Sequence, residues 1–276
     1  MRDEDFKNLH ELEDTFWWFV GMRDMQAALI DPVVRAARPF LRPEADRVVL
    51  DLGCGTGGNL EWLRRYGTSA TVVGLDLVEQ ALRFCRTQQQ AKVLLASVTD
   101  LPYADSCCDI AGSFDVLIQL PCDGSDERAL AEMHRVLRPG GVGFVRVAAY
   151  EWMRSGHDDA LNTQRRYTLP LISQLAQDAG LEIVRGTYAN TILFPVAALR
   201  RLVLMRVGAT SSDSDVRPMP RGLRWTNRLM VQALRLEARL LAHPRVRFPF
   251  GLSVIIVVRK PNVTAPPHSD HDGTAR

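Results

Sequence analysis

The sequence lacks an apolar run of bilayer length. Although 46% of its 276 residues are apolar, none of the runs reaches the roughly 20 residues that span a membrane. Its start also lacks the basic and then apolar segment of a secretory signal, since residues 1–20 hold six acids against two bases. We therefore expect a soluble, cytoplasmic protein without a transmembrane segment.

Cysteine is scarce, and its spacing is uninformative. The five cysteines show neither Cys-x-x-Cys spacing nor histidines at metal-ligand distance. This pattern excludes a disulfide framework and favours reduced thiols, with no metal site.

The net charge of +2 is too small to favour nucleic acid as a partner. The charge is unevenly distributed, because residues 196–250 hold eleven arginines against three acids. The basic segment therefore needs an explanation of its own.

The stretch Val48–Leu60 organises the rest of the chain. A short apolar run breaks into glycines and then into helical spacing, which predicts a strand, a tight turn and a helix. Glycines allow positive φ and close approach of a ligand, and free amides at a helix start favour polar groups. The stretch predicts the first unit of a nucleotide-binding α/β domain.

The glycine spacing alone leaves two ligands open. Gly53, Gly55 and Gly58 satisfy the Gly-x-Gly-x-x-Gly pattern of dinucleotide enzymes. Asp51 argues against a pyrophosphate, because a carboxylate at the strand end would repel it yet would accept hydrogen bonds from an ammonium group. A nucleoside that carries an amine and no phosphate is the better ligand.

The run Asp51–Gly57 resembles the glycine motif of class I S-adenosylmethionine-dependent methyltransferases. The run Arg135–Gly141 is typical of the same superfamily, which extends the resemblance over roughly residues 45–150. The resemblance implies a Rossmann-like fold with S-adenosylmethionine as cofactor, bound by Asp51, Gly53 and Gly55.

Later strand ends supply further candidates for cofactor binding. Asp76 lies about 20 residues past the loop, where a carboxylate reaches ribose hydroxyls; the alternative is a strand-end residue that caps the next helix. Ser97 stands where the family usually has an acid, so its hydroxyl and the amide of Val98 would meet the adenine. Ser113 lies on the fourth strand, beside the expected crevice.

An aromatic cluster precedes the glycine loop. Trp17 could cover an adenosine and Arg23 could pair with the carboxylate of the cofactor, although a hydrophobic clasp on the domain explains the cluster equally well. The segment resembles the Trp-Trp-Phe element of one bacterial branch of the superfamily. That branch usually has His at the position of Phe16 and Arg at the position of Met22, so these two positions cannot play a polar role in this chain.

The polar loop after strand five holds the catalytic candidates. We expect His157 to act as general base with Asp158 orienting it, the alternative being a surface histidine. Arg166 and Tyr167 join them because their run resembles an Arg-Arg-Tyr-Thr element of the same branch. That branch often has a second histidine where Asn162 stands. In the plainer interpretation, Thr168 caps a helix and the arginines bond the loop itself.

The remaining segments complete the expected domain organisation. Residues 1–44 should form a helical cover and residues 45–260 the methyltransferase domain, with a helical insert at 191–250 and a disordered tail at 261–276. The insert mixes apolar residues with arginines, which suits a lid over a hydrophobic or anionic acceptor or a membrane-surface contact. A dimer interface or an ordinary solvated helix fits the same pattern, so the protein could be a monomer or a homodimer.

We therefore expect an α/β fold with a seven-stranded, mostly parallel sheet whose last strand is antiparallel. The predicted reaction moves a methyl group from S-adenosylmethionine to a small molecule, with natural products and lipid-linked compounds as candidate acceptors. Two other classes stay open at this point. One is a nicotinamide-dependent oxidoreductase, and the other is a non-catalytic module that binds a nucleoside or a membrane.

Overall fold

The computed structural model describes residues 3–68, 71–87, 92–207 and 224–262. These residues form a seven-stranded sheet with helices on both faces. The strands are β1 (Val49–Leu52), β2 (Val72–Asp76), β3 (Lys92–Leu95), β4 (Cys108–Phe114), β5 (Leu137–Ala148), β6 (Glu182–Ala189) and β7 (Ser253–Arg259). The helices are α1 (Asp3–Leu12), α2 (Trp17–Ala37), α3 (Leu60–Leu63), α4 (Glu79–Thr87), α5 (Ser125–Val136), α6 (Gly156–Ala160), α7 (Leu169–Asp178), α8 (Phe194–Val207) and α9 (Arg224–Leu241).

The strand order confirms the expected fold. The sheet runs β3-β2-β1-β4-β5-β7-β6, with parallel pairs from β3 to β5 and with β7 antiparallel to both of its neighbours. The strands from β1 to β5 therefore point their carboxyl ends at one edge, where sheets of this kind bind ligands.

Alternating side chains of the strands build two hydrophobic cores. Leu50 and Val145 belong to the core that includes buried residues of α5 and α7. Their neighbours Val49 and Phe144 belong to the core on the other face, which includes residues of α2 and α9. The near-continuous apolar runs of the strands follow from burial on both faces.

A glycine allows α2 and α9 to pack closely. A Cβ at Gly21 would lie 2.6 Å from the Cβ of Leu234, which is fully buried in α9. Glycine is required here because the two helix backbones approach too closely for a methyl group between them. This contact fixes α9 over α2 and so determines which face of α9 points outward.

Several element boundaries differ from the sequence-based prediction. The apolar spacing predicts a helix over residues 24–41, whereas α2 starts at Trp17 and ends at Ala37, so Trp17–Phe19 of the aromatic cluster lie within it and Phe16 is its N-cap. The sequence predicts that Arg138–Gly141 ends the preceding helix before strand five, whereas β5 already starts at Leu137, which pairs with Cys108, and the pairing resumes at Val142 after an irregularity. The predicted cap is confirmed, since the Thr168 hydroxyl accepts a hydrogen bond from the amide of Leu171 at the start of α7.

The sequence also predicts a Ser-, Asp- and Pro-rich loop at 210–220 that interrupts the helical insert. This loop and, beyond Asn262, the predicted tail lie outside the described residues. Within the described parts, none of the helices combines the length and apolarity needed to cross a membrane.

Candidate active site

A cavity of about 1230 Å³ opens at the carboxyl ends of the central strands. Its volume exceeds the roughly 300–1,000 Å³ of a pocket for one small ligand, so it has room for two. We call the part over β1, β2 and β3 the glycine-loop half, and the part over β4 and β5 the β4/β5 half. The N-terminal helices, α8 and α9 also contribute lining residues.

The glycine loop has the backbone conformation that its sequence predicts. Gly53, Gly55 and Gly57 have φ values of +85°, +55° and +96°, a region that favours glycine. A Cβ at Gly53 would also lie 2.9 Å from a methyl carbon of Val116, whereas the space beside Gly55 is open. The loop therefore leaves an open cradle at Gly55 in the cavity wall.

Asp51 is a buried carboxyl group that lacks a hydrogen-bond partner in the described part of the chain. It is fully buried, and neither of its oxygens has a hydrogen-bond partner among the described residues. Burial, followed by repulsion from Asp76, raises its pKa to about 8, while Arg146 acts in the opposite direction. Asp51 does not itself line the cavity, but both of these charged neighbours do. A cation bound among them would supply the missing partner.

Asp76 connects β2 to the glycine loop. Its Oδ2 accepts a hydrogen bond of 2.9 Å from the amide of Gly55, and its Oδ1 accepts one of 2.9 Å from the amide of Val78. The second contact is the helix-start cap considered as an alternative. Each carboxylate oxygen retains a further lone pair, so capping and ribose binding can coexist at this residue.

Apolar side chains lie beside Asp76 in the cavity wall. Leu77 and Val78 are 70% and 42% exposed, and Val98 lines the cavity with them. Ser97 also lines it, with its hydroxyl 2.8 Å from that of Thr99. Exposed apolar groups next to a strand-end carboxylate suit a flat heterocycle that carries hydroxyl groups.

The N-terminal segment is bound to the glycine loop through Glu13. This side chain is buried, and it accepts hydrogen bonds from the hydroxyl of Thr56 and the amide of Gly58. A Cβ at Gly58 would lie 2.6 Å from the Glu13 carboxyl carbon. Burial raises the pKa of Glu13 to about 7, against the opposing effect of Thr56.

Trp17 and Arg23 both line the cavity, as the sequence-based hypothesis requires. Arg23 donates hydrogen bonds to Asp14 at 3.2 Å and to the carbonyl of Glu13 at 2.7 Å. Its buried Nε has no partner among the described residues. Its guanidinium therefore orders the N-terminal segment, and its Nε donor stays available for a ligand.

An ion pair occupies the β4/β5 half. Arg146 lies on β5 and is 6% exposed, and its Nη2 and Nε donate to one oxygen of Asp115 at 2.6 and 3.0 Å. Asp115 follows β4 with φ of +60°. Such backbone strain at a non-glycine residue clusters at functional sites.

A second ion pair holds the loop after β5. Both oxygens of Asp158 accept hydrogen bonds from Arg166, at 2.7 and 3.1 Å, and the amide of Ser155 donates to it at 2.7 Å. Burial alone would raise the pKa of Asp158, but these contacts hold it below its usual value. These contacts agree with the plainer interpretation, in which the arginines of this run bond the loop itself. His157 lies in α6, and its side chain is outside the described part of the structure.

Besides Asp51, two further predicted site residues, Tyr167 and Ser113, are not among the described cavity-lining residues. Tyr167 is 1% exposed, and its hydroxyl donates to Asp126 at 3.0 Å and to the carbonyl of Leu117 at 3.2 Å. Ser113 is 3% exposed within β4. The structure thus places both in the interior and gives Tyr167 a packing contact rather than a position facing the cavity.

The sequence reasoning missed Glu13 and the pair Arg146–Asp115. Nothing near Glu13 in the sequence marks it, because its partner Thr56 lies 43 residues away. Arg146 could have been identified from the sequence, because it is the single charged residue inside the apolar run of strand five. A charge in a buried strand needs a partner or a ligand.

The site fits a cationic nucleoside better than a dinucleotide. The orphaned carboxylate of Asp51 and the buried Glu13 oppose a pyrophosphate, while the cradle at Gly55 and the apolar wall at Leu77 can receive a nucleoside. No cluster of three or more histidine, cysteine or acidic side chains suited to a metal ion occurs in the described ranges.

Comparison with known proteins supports this interpretation. A family described as a methyltransferase domain matches residues 50–145. The malonyl-[acyl-carrier protein] O-methyltransferase of Enterobacter lignolyticus is 33% identical over 63% of this chain and 67% of its own length. The fatty-acid O-methyltransferase of Mycolicibacterium smegmatis is 31% identical over 51% of this chain and 50% of its own.

Similarity to solved structures supports the fold alone. A chain from the complex of the Haloferax volcanii Trm112 methyltransferase activator with a methyltransferase has a TM-score of 0.53 at 20% identity, covering 92% of this chain and 100% of that one. Among the curated relatives the matched part spans from 27% to 67% of the relative's length. The motif, the fold and the similarity agree, and the chain belongs to the class I S-adenosylmethionine-dependent methyltransferases.

Proposed function

We propose that this protein transfers the methyl group of S-adenosylmethionine to a small molecule that combines an apolar part with an anionic group. The observation that carries the proposal is one cavity whose two halves differ in charge. The carboxyl group of Asp76 lines the glycine-loop half, and the buried Asp51 lies close enough to be repelled by it, whereas arginines outnumber acids in the lining of the β4/β5 half and the adjoining helices.

The glycine-loop half suits the cofactor. Asp51 would balance the positive charge of the cofactor's amino-acid part, beside the cradle formed by Gly53 and Gly55. Asp76 would meet the ribose, and Val98 with Ser97 would border the adenine. Trp17 and its aromatic neighbours in the lining would exclude water from the bound ligand.

The β4/β5 half suits an anionic acceptor. Four arginines line this half and the adjoining α8, namely Arg146, Arg166, Arg200 and Arg201. The acids that line the same part are Asp115 and Asp158, which pair with Arg146 and Arg166. Among the described lining residues of this part, four are arginines and two are acids, and this excess of arginines favours an anion.

The names of the relatives point to similar acceptors. One relative acts on malonyl-[acyl-carrier protein] and another on fatty acids. A fatty acid combines a carboxylate with an apolar chain, and apolar residues such as Leu193 and Val196 line this cavity beside the arginines.

The main task of the protein in this reaction is to position the acceptor in line with the methyl group. S-adenosylmethionine, when bound, supplies a methyl group on a positively charged sulfur. An anionic oxygen has no proton to lose, so guanidinium groups such as those of Arg146 and Arg166 need only hold it in line. A hydroxyl acceptor would need a base to take its proton, and His157 stays the predicted one.

The proposal is tested with long-chain carboxylic acids, the matching primary alcohols and the matching methyl esters. Release of S-adenosylhomocysteine should occur with the acids and not with the esters, which lack the anionic oxygen. Arg146→Gln should lower kcat/KM for the acids by about a hundredfold, because a buried charge-assisted contact is lost.

Arg128→Gln is the matched control, since Arg128 is exposed on α5 and pairs only locally. It should leave kcat/KM unchanged. Equal turnover of acids and alcohols would refute the anionic acceptor. Calorimetric titration that shows binding of NADH and none of S-adenosylmethionine would refute the methyltransferase activity itself.

A further inference from the structure

The outer side of α9 carries an apolar stripe. Four large side chains recur on the side of the helix opposite its buried residues, each about half or more exposed: Trp225 (63%), Leu229 (61%), Leu236 (53%) and Leu240 (46%). At 1.5 Å per residue the stripe is about 22 Å long. A contiguous apolar stripe of this length on a protein surface indicates an interaction site.

Arginines border this stripe along one side. Arg228, Arg235 and Arg239 are exposed on the same helix, and Arg245 and Arg247 follow in the next segment. Glu237 is the only acid between residues 225 and 260. It is buried and accepts hydrogen bonds from the amides of Thr191 and Ile192, so it does not offset the surface charge.

The acids of α2, the helix that packs against α9, neutralise little of the positive charge on the outer face of α9. Asp24 lies 2.9 Å from Arg235 and neutralises that one arginine. Asp31 of α2 is engaged by Tyr66 and Arg65. The outer face of α9 therefore combines an apolar stripe with a net positive border.

A second exposed stripe lies on α8. Val196, Leu199 and Leu202 recur every three residues and are 71%, 63% and 52% exposed. Both helices also contribute lining residues to the cavity, for example Val196 from α8 and Met230 from α9. The exposed apolar side chains thus lie on two helices that border the same cavity.

We propose that the outer faces of α8 and α9 bind the surface of an anionic lipid bilayer. Amphipathic helices bind there by placing apolar side chains at the acyl boundary while arginines meet anionic headgroups. Side chains that protrude from a helix surface can insert into a bilayer, because lipids rearrange around them. Pairing of two copies through α9 would bring rows of arginines together, and their repulsion opposes it.

This surface extends the proposed function by placing the cavity beside a source of apolar, anionic acceptors. Its test does not require methyl transfer. Flotation of the full chain with phosphatidylcholine vesicles, with and without phosphatidylglycerol, measures the partition. Binding should require phosphatidylglycerol and should weaken at high salt.

Two pairs of substitutions define the surface. Leu229→Ser with Leu236→Ser should reduce partition about tenfold or more, and Arg228→Gln with Arg239→Gln should reduce it about fivefold for each arginine. The matched controls lie elsewhere on the surface: Leu94→Ser with Leu95→Ser on β3, and Arg83→Gln with Arg128→Gln on α4 and α5.

Circular dichroism and thermal unfolding establish that each variant is folded. Loss of binding in the α9 variants, with binding kept in the controls, supports the proposal. It is overturned if the vesicles are not bound, or if controls and α9 variants lose binding equally. A concentration-dependent dimer abolished by the leucine pair, or binding of an acidic acyl-carrier protein in place of vesicles, would also overturn it.

Discussion

Replacing Asp51 by asparagine should stabilise the ligand-free protein while weakening its binding of S-adenosylmethionine. The reason is that the carboxylate is fully buried and has no partner among the described residues. Asparagine has nearly the same shape and carries no charge. The substitution therefore removes the electrostatic cost of the site without creating a cavity.

The magnitude follows from the pKa of Asp51, which burial, followed by repulsion from Asp76, raises from 3.8 to about 8. Between these two values the folded protein binds more protons than the unfolded chain, so the free energy of unfolding falls as the pH rises. At 1.36 kcal/mol for each pH unit, the loss is about 5 kcal/mol by pH 8. The unpartnered amide that the substitution introduces costs about 1–3 kcal/mol, which leaves a net gain of about 2–4 kcal/mol.

Urea unfolding at pH 5 and at pH 8 measures this effect. We expect the gain at pH 8 and little or none at pH 5, where Asp51 is largely protonated. On the same samples, calorimetry should show S-adenosylmethionine binding weakened about a hundredfold by the loss of a buried charge pair. A variant that is less stable than the wild type at pH 8 would show that Asp51 already has a partner in the fold, and would refute the reasoning.

Two further predictions concern the contacts that position the site. Glu13→Gln should match the wild type at low pH and exceed its free energy of unfolding by about 3 kcal/mol at pH 8, because burial raises the pKa of Glu13 to about 7. An unchanged pH dependence in urea unfolding would contradict this. Gly21→Ala should cost about 1–3 kcal/mol through overpacking against Leu234, and adding Leu234→Ala should recover part of the loss. Strictly additive effects in this double-mutant cycle would show that the two residues do not interact.

The glycine loop was predictable because its signals are local. Positive φ at Gly53, Gly55 and Gly57 follows from glycine at a strand-to-helix turn, and the apolar run before it predicts a buried strand. The alternation of strand and helix patterns along the chain also predicts the α/β class. These features need only neighbours in sequence.

The rest of the site depends on contacts between distant segments. Glu13 reaches Thr56 across 43 residues, and Tyr167 reaches Asp126 across 41. A polar run after a strand looks the same in the sequence whether its side chains face a cavity or the interior. Tyr167 lies in the interior because it packs against the loop after β4, and no local sequence pattern predicts this orientation.

The central claim is that the glycine-loop half holds a cationic nucleoside against Asp51. A crystal structure of the protein with S-adenosylhomocysteine tests it most directly. We predict the α-ammonium group beside Asp51, the ribose hydroxyls at Asp76 and the adenine beside Val98. A ligand elsewhere in the cavity, or an amino-acid part turned away from Asp51, would contradict the account.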